Sequence, residues 1–327
     1  MRRRRRAAAL LWLGLMPAAA VAADPPAGPP WPARPVSLVV AYPPGAITDT
    51  VGRRVAEQLG TALGAAIVVE NRGGAGGNVA GAYVARAAPD GHTLLFTSYG
   101  NLIIAAAAKL PVGFDPFKDL APVGMVGPMT VVLLVRPDLP VRNLAEFVRH
   151  VAAHPGQLNF ASVGFGSSYH LLIEQMMAHG RLSMNHVPYR GGAAAMTDFL
   201  GGRVQATLAT WLFARPYMTD GSARPIAVAN AARAPVAPEL PTVAEAVPGA
   251  AIAEGLGLFA PAGTPAPVIA RLNAALRAIL AAPAMHGWLE TNGVTPQPGP
   301  PEAFTAEMRP AAESLARLLR ETQIRLE

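Results

Sequence analysis

The sequence predicts an α/β protein of two lobes. Three observations predict it: strand-like and helix-like segments alternate from Val36 onward, the alternation restarts near Thr130, and 327 residues at 51% hydrophobic composition favour two cores over one. Such alternation implies parallel strands covered by helices on both faces, so the sheets are expected to be mostly parallel.

The first strand, Val36 to Ala41, leads through Tyr42-Pro43-Pro44-Gly45-Ala46-Ile47-Thr48-Asp49 into a helix of about 48 to 63. In that helix Val51, Val55 and Leu59 recur at four-residue spacing and mark the face packed on the sheet, and Gly60 or Gly64 can end it. A strand at 67–70, a helix at about 78–87 and a strand at 93–97 complete the first pattern. The intervening run Gly73 to Gly77 lacks both the Gly-x-Gly-x-x-Gly spacing and the Gly-Lys-Ser or Gly-Lys-Thr ending of nucleotide loops. It reads as a loop that needs positive φ or close backbone approach.

The second pattern runs through a strand at 131–135, a helix at 144–153 closed by Pro155, a strand at 158–162 and a helix at 168–178. A strand at 226–229 follows, then a strand at 257–260 that leads to a helix at 267–281. Near the C-terminus Phe304, Met308, Leu315, Leu318 and Leu319 keep a helical period around Pro310. Proline has no N–H for the carbonyl of Ala306, so a kink or break is expected near Arg309.

Arg2 to Arg6, the apolar run Ala7 to Leu15, Pro17 and the small-residue stretch Ala20-Val21-Ala22-Ala23 read as a secretory signal peptide over residues 1–23. The proline-rich residues 24–31 read as a tether. Five of the 27 Lys and Arg residues lie in the leader, leaving 22 against 21 Asp and Glu. A balance near +1 gives no support for a nucleic-acid surface. The absence of cysteine removes disulfides, thiol nucleophiles and cysteine metal sites, so stability rests on the core.

The Pro44-Gly45 turn points bare backbone N–H groups above its strand, and a helix start carries about half a positive charge, which suits a carboxylate. Ser162-Val163-Gly164-Phe165-Gly166-Ser167-Ser168 is its counterpart in the second pattern, with Ser167 or Ser168 equally able to cap the helix. Asp49 can serve the helix start instead of a ligand. His150 and His154 are four apart but have no third ligand nearby. Ser167 and His170 lie in one helical turn, where the imidazole does not obviously approach the hydroxyl, and no Gly-x-Ser-x-Gly is present. No catalytic, metal or cofactor residue is therefore expected.

These turns, together with Ile67-Val68-Val69-Glu70-Asn71-Arg72-Gly73-Gly74, Asp115-Pro116-Phe117-Lys118-Asp119-Leu120, His186-Val187-Pro188-Tyr189-Arg190-Gly191-Gly192 and Phe259-Ala260-Pro261-Ala262-Gly263-Thr264-Pro265, resemble the periplasmic solute-binding proteins of tripartite tricarboxylate transporters. This Bug or TctC-like resemblance covers nearly all of the chain after residue 31. It implies a type II periplasmic-binding architecture with a hinge of two chain crossings, lobe 1 being 32–127 plus 254–327 and lobe 2 being 128–253.

It also implies a periplasmic monomer that binds a small organic carboxylate without cofactor or catalysis and meets membrane permease subunits. The family's ligand contacts carry over onto Gly45, Ala46, Thr48 and Asp49, onto Ser98, Tyr99 and Gly100, onto Gly164, Gly166, Ser167 and Ser168, and onto Tyr189, Arg190 and Gly191. The chain departs from the family pattern at Ala46, Gln205, Ala209 and Thr210, where a glycine and acidic groups are lost. Phe165, Tyr169 and Trp211 stand where relatives are often polar or small, so an aromatic or branched carboxylate is one expectation and ordinary core packing the other. A signalling receptor without transport and a periplasmic hydrolase are the alternatives.

Overall fold

The computed structural model describes residues 31–322 and 324. The signal peptide and all of the tether except Trp31 lie outside the described residues. Among the described residues ten strands form two five-stranded sheets. The first holds β1 (Val36–Val40), β2 (Ile67–Asn71), β3 (Thr93–Ser98), β4 (Leu120–Pro128) and β10 (Gly255–Pro261), in the order β2-β1-β3-β10-β4. The second holds β5 (Val131–Val135), β6 (Asn159–Ser162), β7 (Asn185–Pro188), β8 (Ala206–Thr210) and β9 (Arg224–Val228), in the order β7-β6-β8-β5-β9.

Strand residues alternate between faces, and helices cover both. On the first sheet Leu38, Val40 and Phe96 face α1 (Ile47–Leu63), α8 (Ala266–Ala281) and α9 (Pro283–Thr291). Val39, Leu95 and Phe259 face α2 (Asn78–Ala85), α3 (Tyr99–Ala107) and α10 (Pro301–Thr322). On the second sheet Val131 and Leu133 face α4 (Leu144–Ala153) and α5 (Ser168–Gly180), while Val132 and Leu134 face α6 (Gly192–Leu200) and α7 (Trp211–Thr219). Burial on both sides explains why strands such as Val131–Val135 read as unbroken apolar runs.

The sheets are mixed, not mostly parallel. β1, β2 and β3 are parallel, as are β6, β7 and β8, but β10 is antiparallel to β3 and β4, and β5 is antiparallel to β8 and β9. The cause is the chain's route: it passes between the sheets at Met129–Thr130 and again at 252–255. A strand that enters a lobe from the hinge, as β5 and β10 do, runs opposite to the strands that end there. The crossings lie side by side, with the Met129 N–H donating to Glu254 O at 3.0 Å and the Asn230 side chain bonded to both Met129 O and Val131 N.

Of the kink or break expected near Arg309, the break is corrected, since α10 runs Pro301–Thr322 as one element. Pro310 is exposed, so water can bond the carbonyl of Ala306, while Phe304, Met308 and Ala312 hold the buried face. Its later residues Leu315 and Leu319 pack on the core of the second lobe, so the helix spans both lobes. The glycine run behaves as expected: Gly74, Gly76 and Gly77 have positive φ, and a Cβ on Gly77 would lie 3.0 Å from Thr97 Oγ1.

Candidate functional site

Because β1, β3, β6, β7 and β8 end on the hinge side, the helices that follow them begin there. After β1, Gly45 turns at φ +83°, and its N–H donates to Asp49 Oδ2 at 2.9 Å. Asp49 Oδ1 accepts from Arg53 Nε at 2.9 Å and from Asn71 Nδ2 at 2.7 Å. Burial alone would raise this carboxyl's pKa, but the hydrogen bonds from Arg53, Asn71 and Gly45 hold it below the ordinary range. Asp49 thus clamps its own turn. Ala46 is the N-cap and offers no side-chain acceptor, which leaves the first amides of α1 and the buried Thr48 facing the hinge side.

The counterpart turn in the second lobe is built differently. Gly164 and Gly166 have positive φ, and Ser167 caps α5 by accepting from His170 N at 3.2 Å while donating to Gly164 O at 2.6 Å. His170 Nδ1 accepts from Gly166 N at 3.3 Å, so its ring does not engage the Ser167 hydroxyl. His170 stacks on His186 with centroids 4.2 Å apart, and Phe165, 60% exposed, stands edge-on to both rings. His186 Nε2 is 2.6 Å from Ser162 Oγ, and burial together with the neighbouring His170 pushes its pKa down to about 4. Ser162 is fully buried, so this pair offers no nucleophile to a substrate. No local pattern announced it, because β6 and β7 are brought together only by the sheet.

Tyr189 donates its hydroxyl to Asp198 Oδ2 at 2.8 Å, so it is turned onto its own lobe. Arg190 is exposed beside Gly191, which at φ +109° precedes α6 and leaves that helix start without a side-chain cap. Trp211 packs on Gly293, where a Cβ would lie 2.5 Å from Trp211 Cβ, and the Trp211 backbone N–H donates to Thr130 O at 2.9 Å. Trp211 therefore lies at the hinge. Tyr169 belongs to the core of the second lobe, as ordinary packing would have it.

The lobes meet at a residue the sequence reading did not single out. Ser98, the N-cap of α3, donates its hydroxyl to Glu254 Oε1, and the Ser168 hydroxyl at the start of α5 faces the same carboxyl. Tyr99 is core, edge-on to Phe304 at 5.5 Å. Gly100 lies against Ala253 O, where a Cβ would clash, and 2.9 Å would separate that Cβ from Glu254 Oε2. Among the described residues no three His, Asp or Glu side chains group as a metal site.

The sequence model of the tripartite tricarboxylate transporter family receptor matches residues 51–318. The chain belongs to that family. This receptor is 33% identical to the UPF0065 protein in the tcbD-tcbE intergenic region of Pseudomonas sp. strain P51, over 90% of the receptor and 88% of that relative. Among solved structures, Rpa4515 of R. palustris with adipate matches with a TM-score of 0.83 at 31% identity, covering 90% of the receptor and 99% of that chain. MatC from Rhodopseudomonas palustris with bound malate matches with a TM-score of 0.79 at 33% identity, covering 88% and 100%. The receptor is a solute-binding protein of this two-lobed architecture.

Proposed function

We propose that this receptor captures one small organic carboxylate between its lobes in the periplasm and, as a monomer that performs no chemistry, presents it to the membrane permease of a tripartite tricarboxylate-type transporter. One observation carries the reading. The helices α1 and α6, one from each lobe, begin on the hinge side without side-chain caps, so their amides and dipoles are free for an anion. The bound malate and adipate of the two neighbours support a carboxylate ligand.

In this reading the amides after Ala46, the Thr48 hydroxyl, the turn Gly164 to Ser168, Arg190 and the amides after Gly191 surround the ligand. Asp49, Ser167 and Tyr189 hold their turns in place. The lobes, 32–127 with 254–327 and 128–253, close on the ligand, and the permease recognises the closed form.

Thermal unfolding of purified protein against dicarboxylates, tricarboxylates, acidic amino acids and aromatic carboxylates tests the reading. Ligand at 100 times its Kd stabilises by about 2.7 kcal/mol, a rise of several degrees in Tm with at least one class. No shift with any carboxylate after unfolding, washing and refolding overturns it.

A further inference from the structure

Glu254 places a carboxyl between the starts of α3 and α5, on the hinge side where α1 and α6 also begin. It is 3% exposed, at the point where the chain re-enters the first lobe. Oε1 accepts from the Ser98 hydroxyl, and Ser168 faces the group from the other lobe. Oε2 is buried with no hydrogen-bond partner among the described residues. Tyr42 and Tyr169 lie close enough for the Glu254 charge to push their hydroxyls up, beyond what burial does. Glu254 is in none of the ion pairs of the described residues.

Two consequences follow from this placement. The serines at the starts of α3 and α5 already face a carboxyl, so a ligand carboxylate cannot occupy the same position without like-charge repulsion. A buried carboxylate with a free oxygen also needs a donor, and a cationic one compensates it best. Two hydroxyls, those of Ser98 and Ser168, already face it, and what the group lacks is positive charge.

We propose that Glu254 is a specificity-determining residue that takes an ammonium group of the ligand, so that the receptor selects amino carboxylates over their des-amino counterparts. The ligand's own carboxylate is then held at the starts of α1 and α6. This inference rests on the carboxylate-binding reading above. Burial pushes the Glu254 carboxyl up to about 7, and an adjacent ammonium restores the charged form.

The experiment is titration calorimetry of refolded protein with matched pairs: aspartate and succinate, glutamate and glutarate, β-alanine and propionate. In at least one pair the amino member is expected to bind at least tenfold tighter at pH 8, and Glu254→Gln is expected to bring that ratio below threefold. A second arm needs no variant. The titratable groups facing Glu254 from the packed elements are Tyr42, Tyr99 and Tyr169, with Glu307 beside Tyr99, and all three phenols are raised away from neutrality. The wild-type preference for the amino member is therefore expected to grow from pH 5.5 to pH 8. Equal or tighter binding of the des-amino member, or a ratio indifferent to both pH and Glu254→Gln, overturns the inference while leaving carboxylate binding intact. Failure of every pair to bind overturns this inference, and failure of the wider carboxylate panel as well overturns the carboxylate reading with it.

Discussion

Asp49 and Glu254 are both buried carboxyls near the hinge, yet their surroundings move them in opposite directions. Asp49 receives an Arg53 guanidinium, an Asn71 amide and a backbone N–H, so its folded pKa is depressed and its contribution to stability fades as pH falls through that value. Asp49→Ala takes their acceptor from Arg53 Nε and the Gly45 N–H, while the Asn71 amide keeps its bond to Tyr42 O, and is expected to cost about 1–3 kcal/mol by denaturant unfolding at pH 7. Glu254 is raised by burial to about 7, so its neutral form favours the folded state. That contribution is complete below the unfolded carboxyl's pKa, falls between about pH 4.5 and 7, and is lost above. Glu254→Gln is expected to match wild type at pH 4.5 and to exceed it by about 2–3 kcal/mol at pH 8. Equal stability of the two proteins at pH 8 would show that the carboxyl is not desolvated. The sequence made Asp49 legible, since it stands in the first turn of a helix after a glycine turn. Glu254 was not legible, because its partner Ser98 is 156 residues away and no local pattern joins them.

At the level of elements, periodicity located α1, α4, α5, α8 and most strands, because an apolar face repeated every three or four residues has to be buried against something. It misjudged α10. Proline removes one hydrogen bond and crowds the preceding turn, but a helix anchored by Phe304, Met308 and Ala312 before and after that point does not have to end. Pro310→Ala restores a donor for Ala306 O and is expected to raise stability by about 1–3 kcal/mol, read as a higher Tm. An unchanged Tm would mean that solvent already satisfies that carbonyl at no cost. The short α3 start carries a different constraint. Gly100 has no room for a Cβ against Ala253 O, so Gly100→Ala is expected to push the hinge segment away and cost at least about 3 kcal/mol.

On the scale of the whole molecule, strand direction was the feature that sequence alternation concealed. Local grammar counts strands and helices but does not show which strands enter a lobe from its neighbour, and it is these, β5 and β10, that make the sheets mixed. The same crossings hold the lobes in register, aided by α10 along both cores and by Trp211 against Gly293, whose carbonyl accepts from Thr130 N at 2.7 Å. If ligand binding selects this arrangement of the lobes, a wedge at that contact has to weaken binding without touching the ligand. Gly293 has φ +77° and faces Trp211, so Gly293→Ala strains the backbone and presses on the indole together. It is expected to lower carboxylate affinity about tenfold or more and to remove the ligand-induced fall in radius of gyration measured by small-angle scattering. Its far-ultraviolet circular dichroism should match wild type, since α9 and β4 on either side stay packed in the first lobe. Wild-type affinity in this variant would mean that the contact plays no part in closure, and that the two crossings and α10 set the lobes' equilibrium.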